Sequence, residues 1–148
     1  ISTNADFADG ATQVVAGATV VDTVDYKDLV PEKKYTLQAE LISKEDGETV
    51  LGKGSKTFTP ESADGRTTVE IKVNDSVTEP VEAAVAFEEL TSTEVDKSGK
   101  DTPNAEQPNK IAEHKDINDE NQTVTSEEET EPAEEQSGKT PETSESAK

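Results

Sequence analysis

Apolar and polar residues alternate in several short segments of the chain, as expected for β-strands with one buried face. Alternation in KKYTLQAELIS (33–43) places Tyr35, Leu37, Ala39 and Leu41 on one face. Further strands are predicted at 19–26 (TVVDTVDY), 55–60 (SKTFTP), 66–73 (RTTVEIKV) and 82–90 (EAAVAFEEL), and an Asp-Gly turn is predicted in KEDGET (44–49). No apolar repeat with helical spacing is sustained. The pattern therefore predicts an all-β sandwich of seven or more short strands.

The last part of the chain has a different composition. Residues 125–148, TSEEETEPAEEQSGKTPETSESAK, contain eight glutamates and no aromatic or large aliphatic residue. Such a segment cannot bury enough apolar surface to offset the entropy lost on ordering. We predict one folded domain over residues 1–124 and a disordered acidic linker over 125–148.

Composition narrows the possible functions. The chain has 34 acidic and 14 basic residues and a net charge of −20, which disfavours nucleic acids and anionic membrane surfaces as partners. No run of apolar residues is long enough to span a bilayer, and ISTNADF at the start does not read as a signal peptide. With no cysteine, disulfides and thiolate metal sites are absent. Five aromatic residues predict a thin core.

One segment contains residue types that could act in acid–base catalysis. The sequence AEHKDINDENQTV (112–124) contains His114, the one histidine of the chain, followed by Asp119, Gln122 and Thr123. Histidine is the side chain best suited to act as a general base near neutral pH. An oxygen-rich calcium loop at 116–122 is an alternative, although it lacks the glycine and the distal glutamate of an EF-hand.

Three stretches together resemble one family. VVDTVDYKDLVPEKKYTLQAELISKEDGE is similar to the first hairpin of VaFE-type repeats, VAFEEL contains their Val-x-Phe-Glu motif at Val85–Glu88, and HKDINDENQTV is similar to their closing strand. These repeats are immunoglobulin-like domains of the collagen-adhesin B type from Gram-positive surface adhesins. The resemblance covers nearly all of residues 1–124 and implies an immunoglobulin-like β-sandwich.

One branch of this group forms an intramolecular ester between a threonine of the first strand and a glutamine of the last. The family pattern of histidine, aspartate five residues later and Gln-Thr three residues after that matches His114, Asp119 and Gln122 here. The glutamate of the Val-x-Phe-Glu motif corresponds to Glu88, and the threonine of an Ile-x-Thr-x-Ala pattern corresponds to Thr3. The resemblance thus implies a Thr3–Gln122 cross-link made by His114, Asp119 and Glu88.

The chemistry of these side chains is consistent with that assignment. A threonine hydroxyl needs a base and an amide carbonyl needs polarisation, so His114 is expected to activate Thr3. Two adjacent carboxyls cannot both ionise cheaply, and we expect Asp119 and Glu88 to form such a pair that polarises the Gln122 carbonyl. Strand alternation places Glu88 on an apolar face with Ala84, Ala86 and Leu90, which should raise its pKa.

Other assignments remain open on the sequence alone. Thr12, Thr19 or Thr23 could replace Thr3 as the nucleophile, and a relative with an isopeptide bond would use Lys27, Lys33 or Lys34. A domain without a cross-link and a ligand-binding adhesin module are further alternatives. Few aromatic residues are available for the binding site that a ligand-binding module would need.

The resemblance also implies a biological setting. We expect a monomeric stalk domain of a cell-wall-anchored extracellular adhesin, flanked by neighbouring repeats of the same polypeptide. A host ligand would be bound by another domain. The reaction would use no cofactor and no metal. Because it would occur once in each molecule on the domain itself, we expect that the domain is not an enzyme.

Overall fold

The structure, a computed structural model, describes residues 1–127. It contains eight β-strands and one short 3-10 helix, η1: β1 (Ser2–Ala8), β2 (Thr19–Tyr26), β3 (Tyr35–Ser43), β4 (Val50–Phe58), β5 (Gly65–Val73), β6 (Ala83–Ser92), β7 (Asn109–His114), η1 (Glu120–Gln122) and β8 (Thr123–Thr125). Within this part of the chain no helix is long and apolar enough to cross a membrane. The predicted all-β fold is confirmed.

All strand pairs are antiparallel, in the order β1-β2-β5-β4-β3-β6-β7, with β8 paired to β6. β4 and β5 pair only at Gly52↔Val73 and Lys53↔Lys72. Because β4 and β5 pair over so short a length, the sheet folds between them into two faces, β1-β2-β5 and β4-β3-β6-β7. The inward residues of both faces pack into one core, as in a β-sandwich.

Strand alternation determines what is buried. In β2 every second residue is buried, and in β3 the predicted inward residues Tyr35, Leu37, Ala39 and Leu41 are at most 2% exposed. Two groups of buried side chains result: one contains Val20, Leu41, Ile71 and Val124, and the other contains Val24, Tyr35, Leu37 and Leu90. Between them lie several buried polar residues.

Two sequence-based boundaries were wrong. β4 begins at Val50, whereas the sequence pattern placed this strand at 55–60. The expected continuous closing strand is interrupted: β7 ends at His114, and a turn and η1 precede β8. The predicted turn at 44–49 is confirmed, since Asp46 Oδ1 accepts hydrogen bonds from the backbone N–H groups of Glu48 and Thr49.

Glycines explain the error at β4. A Cβ added at Gly54 would lie 1.9 Å from the Glu70 carbonyl oxygen, and one at Gly52 would lie 2.4 Å from that of Lys72. The two glycines interrupt the apolar alternation on which the prediction relied. They are needed because β4 passes very close to β5 at the fold between the two faces.

A Gly54→Ala variant is expected to be less stable by about 1–3 kcal/mol, because backbone atoms must move to accommodate the new methyl group. Chemical denaturation followed by circular dichroism measures the change. Ser55→Ala, on the exposed side of the same strand, is the matched control and should leave the midpoint unchanged. Equal midpoints for the two variants would contradict the close approach of β4 to β5.

The C-terminal boundary of the domain stays a prediction. Within the described residues, hydrogen bonds continue to Ser126, whose N–H donates to Glu82, and to Glu127, whose N–H donates to Thr12. Most of the predicted linker, residues 128–148, lies outside the described residues.

Candidate functional site

Four polar side chains are buried together where the two sheet faces meet β8. Thr3 is 6% exposed, and Asp22, Glu88 and Gln122 are fully buried. Five of their side-chain oxygen atoms have no hydrogen-bond partner: Thr3 Oγ1, Asp22 Oδ1, both oxygens of Glu88 and Gln122 Oε1. Buried polar atoms without partners destabilise a fold by about 1–3 kcal/mol each. Their concentration in one place makes this cluster the candidate site.

Strand pairing brings Thr3 towards Asp22. In the β1–β2 register Ala5 lies opposite Asp22 and Thr3 opposite Val24, so Thr3 is the diagonal neighbour of Asp22. Thr3 and Ala5 occupy buried, inward-facing positions on β1, and Asp22 and Val24 occupy such positions on β2. Diagonal neighbours on one face lie within reach of each other's side chains.

Gln122 reaches the same place from the end of the domain. Its Nε2 donates hydrogen bonds to Asp22 Oδ2 at 2.8 Å and to the Ala86 carbonyl oxygen at 2.9 Å. A carbonyl oxygen can only accept, so these contacts fix the orientation of the amide. Helix η1, which carries Gln122, lies alongside β1. The amide of Gln122 is therefore held next to the face that carries Thr3.

Asp119 positions η1. Its Oδ1 accepts a hydrogen bond from the Asn121 N–H, as an N-cap residue does. Its carbonyl oxygen accepts from Thr123 Oγ1 at 2.8 Å and from the Gln122 N–H at 3.1 Å. These contacts hold the turn in which the Gln122 side chain points inward.

Glu88 and Asp22 form a buried carboxyl pair. Burial, followed by the adjacent Asp22 carboxyl, raises the pKa of Glu88 to about 11. Glu88 is therefore protonated at neutral pH, which removes the repulsion that two neighbouring carboxylates would exert on each other. The expectation that the apolar face of β6 raises the pKa of Glu88 agrees with this, and Ala84, Ala86 and Leu90 are all buried.

The partner of Glu88 differs from the expected one. The sequence reading paired Glu88 with Asp119, whereas the carboxyl next to Glu88 is that of Asp22. A hydrogen bond from His114, and then one from the Asn121 N–H, lowers the pKa of Asp119, so Asp119 is an anion. A low pKa suits a carboxylate that orients a histidine and does not suit a proton donor.

His114 stands opposite Glu88. The two residues are direct partners in the β6–β7 register, so their side chains leave the same face of the sheet. The Nε2 atom of His114 is hydrogen-bonded to Asp119 Oδ2. This contact leaves Nδ1 as the nitrogen that can take a proton.

Asp22 is the site residue that the sequence reading missed. It was part of a correctly predicted strand, TVVDTVDY, in which Val20, Asp22, Val24 and Tyr26 occupy the inward positions. An acidic residue in such a row is a signal, because a charged side chain is rarely buried without a partner. The signal was available in the alternation alone.

Comparison with known proteins identifies the family. The sequence model of the family described as "T-Q ester bond containing domain" matches residues 1–126. The chain belongs to this family. The resemblance found in the sequence is thereby confirmed. A search of curated proteins gives no match.

Two solved structures, crystal forms of one protein, share the fold of this T-Q ester bond domain. They are described as a bacterial adhesin from Mobiluncus mulieris containing intramolecular disulfide, isopeptide and ester bond cross-links. The TM-score is 0.60 for both, at 18% and 20% sequence identity. The match covers 87% of this chain and 57% of the adhesin chain, so the chain spans little more than half of that structure.

Within this T-Q ester bond domain, the alternative nucleophiles are less well placed than Thr3. Thr12 is exposed, and Thr19 and Thr23 point away from the core on β2, where the alternate residues are buried. Only Thr3 of the four is buried. The structure thus favours Thr3, the residue implied by the family pattern.

The three lysines named for an isopeptide bond are poorly placed for one. Lys27 and Lys34 are exposed, and Lys33 pairs with Asp101 at 3.4 Å near the surface. An isopeptide amine needs the dry surroundings that none of these lysines has. No group of three or more His, Cys, Asp or Glu residues that could hold a metal ion occurs in residues 1–127.

Proposed function

We propose that this domain forms an ester between Thr3 Oγ1 and the side-chain carbonyl carbon of Gln122, with release of ammonia. The observation that carries the proposal is the fully buried Gln122 amide, held against the Asp22–Glu88 pair beside the inward position of Thr3. Thr3, Gln122 and His114 keep the roles expected from the sequence. Asp119 and Glu88 remain in the site with different roles, and Asp22 joins them.

His114 begins the reaction. With Nε2 engaged by Asp119, Nδ1 takes the proton of the Thr3 hydroxyl as its oxygen attacks the Gln122 carbonyl carbon. The anionic Asp119 stabilises the imidazolium that forms, because opposite charges in contact favour the charged state. Asp119 thus acts through His114 and through the cap of η1.

The carboxyl pair completes the reaction at the nitrogen. Asp22 contacts Nε2 of Gln122, whereas the sequence reading placed a carboxyl on the carbonyl oxygen. As the bond between the carbonyl carbon and Nε2 breaks, the protonated pair gives the nitrogen a proton and ammonia leaves. His114 then returns the Thr3 proton to the pair. The atoms balance: one hydroxyl and one amide give one ester and one ammonia.

The reaction occurs once in each molecule, so the domain is its own substrate and is not a turnover enzyme. Burial protects the product, because an ester in water would hydrolyse to free threonine and glutamate. A ring of about 120 residues closed in this way removes roughly 5 kcal/mol of unfolded-chain entropy. This gain matters for a thin core without disulfides.

The mechanical consequence explains the biological role that we propose. The ester ties β1, the first strand, to the segment that leads into β8, the last described strand. Tension applied along the chain is then carried by a covalent bond and bypasses the core. We infer a stalk domain of a cell-wall-anchored, cell-surface adhesin, monomeric and flanked by neighbouring repeats, with the host ligand bound elsewhere.

Intact mass and an ester-specific reagent test this proposal together. The folded domain should be lighter than its sequence by one ammonia, and hydroxylamine should cleave the bond after unfolding because it attacks esters. An isopeptide bond would give the same mass deficit and survive hydroxylamine. A mass equal to that of the sequence would contradict any cross-link.

The raised pKa of Glu88 predicts how pH affects the domain before the bond forms. In a Thr3→Ala background the folded state keeps a proton on Glu88 that the unfolded chain releases above its ordinary pKa of 4.5. The contribution of Glu88 is therefore fully present below pH 4.5 and is lost as the pH rises towards about 11. The expected slope approaches about 1.4 kcal/mol per pH unit in this window.

Urea denaturation at several pH values measures that slope. A Thr3→Ala, Glu88→Gln double variant cannot release the proton and should lose this part of the pH dependence. The difference between the two variants isolates Glu88 from other titrating groups. If the free energy of unfolding changed with pH by the same amount in both variants, Glu88 would ionise alike in the folded and unfolded states, contrary to the prediction.

A further inference from the structure

The group that leaves during the proposed reaction occupies a defined position. Nε2 of Gln122 lies 2.8 Å from Asp22 Oδ2 and 2.9 Å from the Ala86 carbonyl oxygen, in a fully buried place. When ammonia departs, both acceptors lose their donor. The product therefore contains a slot of about the size of one nitrogen atom, in which Asp22 Oδ2 and the Ala86 carbonyl oxygen are free to accept hydrogen bonds.

We infer that this slot is a binding site for ammonia in the cross-linked protein, and that bound ammonia reopens the ester to regenerate Gln122 and Thr3. The inference rests on the proposed Thr3–Gln122 ester. It makes the cross-link reversible in the folded state by one small nitrogen nucleophile.

The steps are those of bond formation in reverse. The ammonia nitrogen, held by Asp22 and the Ala86 carbonyl, forms a bond to the ester carbonyl carbon, and the bond from that carbon to Thr3 Oγ1 breaks. The protonated Asp22–Glu88 pair first passes its proton to His114, which gives it to the leaving Thr3 oxygen. The nitrogen then gives one proton to the pair, so His114 and the pair return to their starting states. One ester and one ammonia become one amide and one hydroxyl.

Two physical reasons favour ammonia over water in this slot. Ammonia attacks through its lone pair, whereas water is a weak nucleophile until a base takes a proton from it. Two acceptors fix ammonia with its lone pair towards the carbon. Any route by which the leaving ammonia escapes from the buried site also serves for its return. Loss of ammonia to the solvent drives the forward reaction, so added ammonia opposes it.

The experiment uses the cross-linked wild-type domain, with its mass deficit and hydroxylamine sensitivity established first. The folded protein is incubated in ¹⁵N-labelled ammonium chloride in mildly alkaline buffer, and parallel samples contain sodium chloride or methylammonium chloride. Intact and tandem mass spectra then report opening and the position of the label. A fourth sample of unfolded cross-linked protein in labelled ammonium shows how the exposed ester reacts.

We expect most opened molecules of the folded protein to regain one ammonia and to carry the label at Gln122. Methylammonium should give no substituted amide because its methyl group does not fit, and the unfolded sample should give a larger hydrolysed share. The inference is overturned if the folded ester stays closed in ammonia, opens mainly to the free acid at position 122, or accepts methylamine equally. Absence of the starting mass deficit would instead overturn the ester itself.

Discussion

A Thr3→Ala variant is expected to show the full mass of its sequence and to unfold with about 5 kcal/mol less free energy than the cross-linked wild type. The loss arises because the unfolded chain regains the freedom that a ring of about 120 residues denies it. Removing the hydroxyl should itself cost little, since Thr3 Oγ1 has no hydrogen-bond partner. Intact mass and denaturant unfolding measure the two effects.

Thr23→Ala is the matched control for this variant. Thr23 lies on the neighbouring strand, β2, and points away from the core, so its loss should leave both the mass deficit and the stability intact. A deficit of one ammonia in Thr3→Ala would mean that another side chain is the nucleophile. Loss of the deficit in Thr23→Ala would identify that side chain.

An Asp22→Asn variant is expected to form the cross-link at least about a hundredfold more slowly. The amide oxygen of asparagine can still accept the hydrogen bond from Gln122, so the Gln122 side chain should remain in place. The variant lacks the second carboxyl, which adds to the effect of burial on the pKa of Glu88 and contacts the departing nitrogen. The fraction of molecules lacking one ammonia, followed over time after refolding, gives the rate.

Asp6→Asn is the control for that substitution. Asp6 lies on β1 close to the site in sequence, but its side chain is exposed. Circular dichroism should show that both variants fold. A wild-type rate in Asp22→Asn would remove Asp22 from the mechanism, and a slow rate in Asp6→Asn would attribute the effect to overall charge.

The local parts of the fold could be predicted because they depend on alternation. β2 was predicted with the bounds that the structure shows, and the inward face of β3 was assigned correctly. β4 was not, because Gly52 and Gly54 serve a close approach to a strand that is distant in sequence. A local sequence pattern does not predict a contact between strands that are distant in sequence.

The site was likewise predicted only in part: its residues could be named from the sequence, but their contacts could not. The family pattern supplied Thr3, His114, Asp119, Glu88 and Gln122, but it gave no partners for the individual carboxyls. Their pairing depends on register: Asp22 reaches Glu88 only when β1, β2 and β6 are folded together, and His114 lies opposite Glu88 only through the β6–β7 pairing. The family pattern supplied Asp119 and Glu88 as the two carboxyls and we paired them, whereas the carboxyl next to Glu88 in the structure is that of Asp22.

The most direct test of a Thr3–Gln122 ester is a tandem mass spectrum of the digested wild-type domain. We predict one branched peptide in which the segment containing Thr3 is joined to the segment containing Gln122, lighter than their sum by one ammonia. Hydroxylamine should separate the two segments. Finding both segments as separate peptides of full mass, or a branch at any other pair of residues, would contradict it.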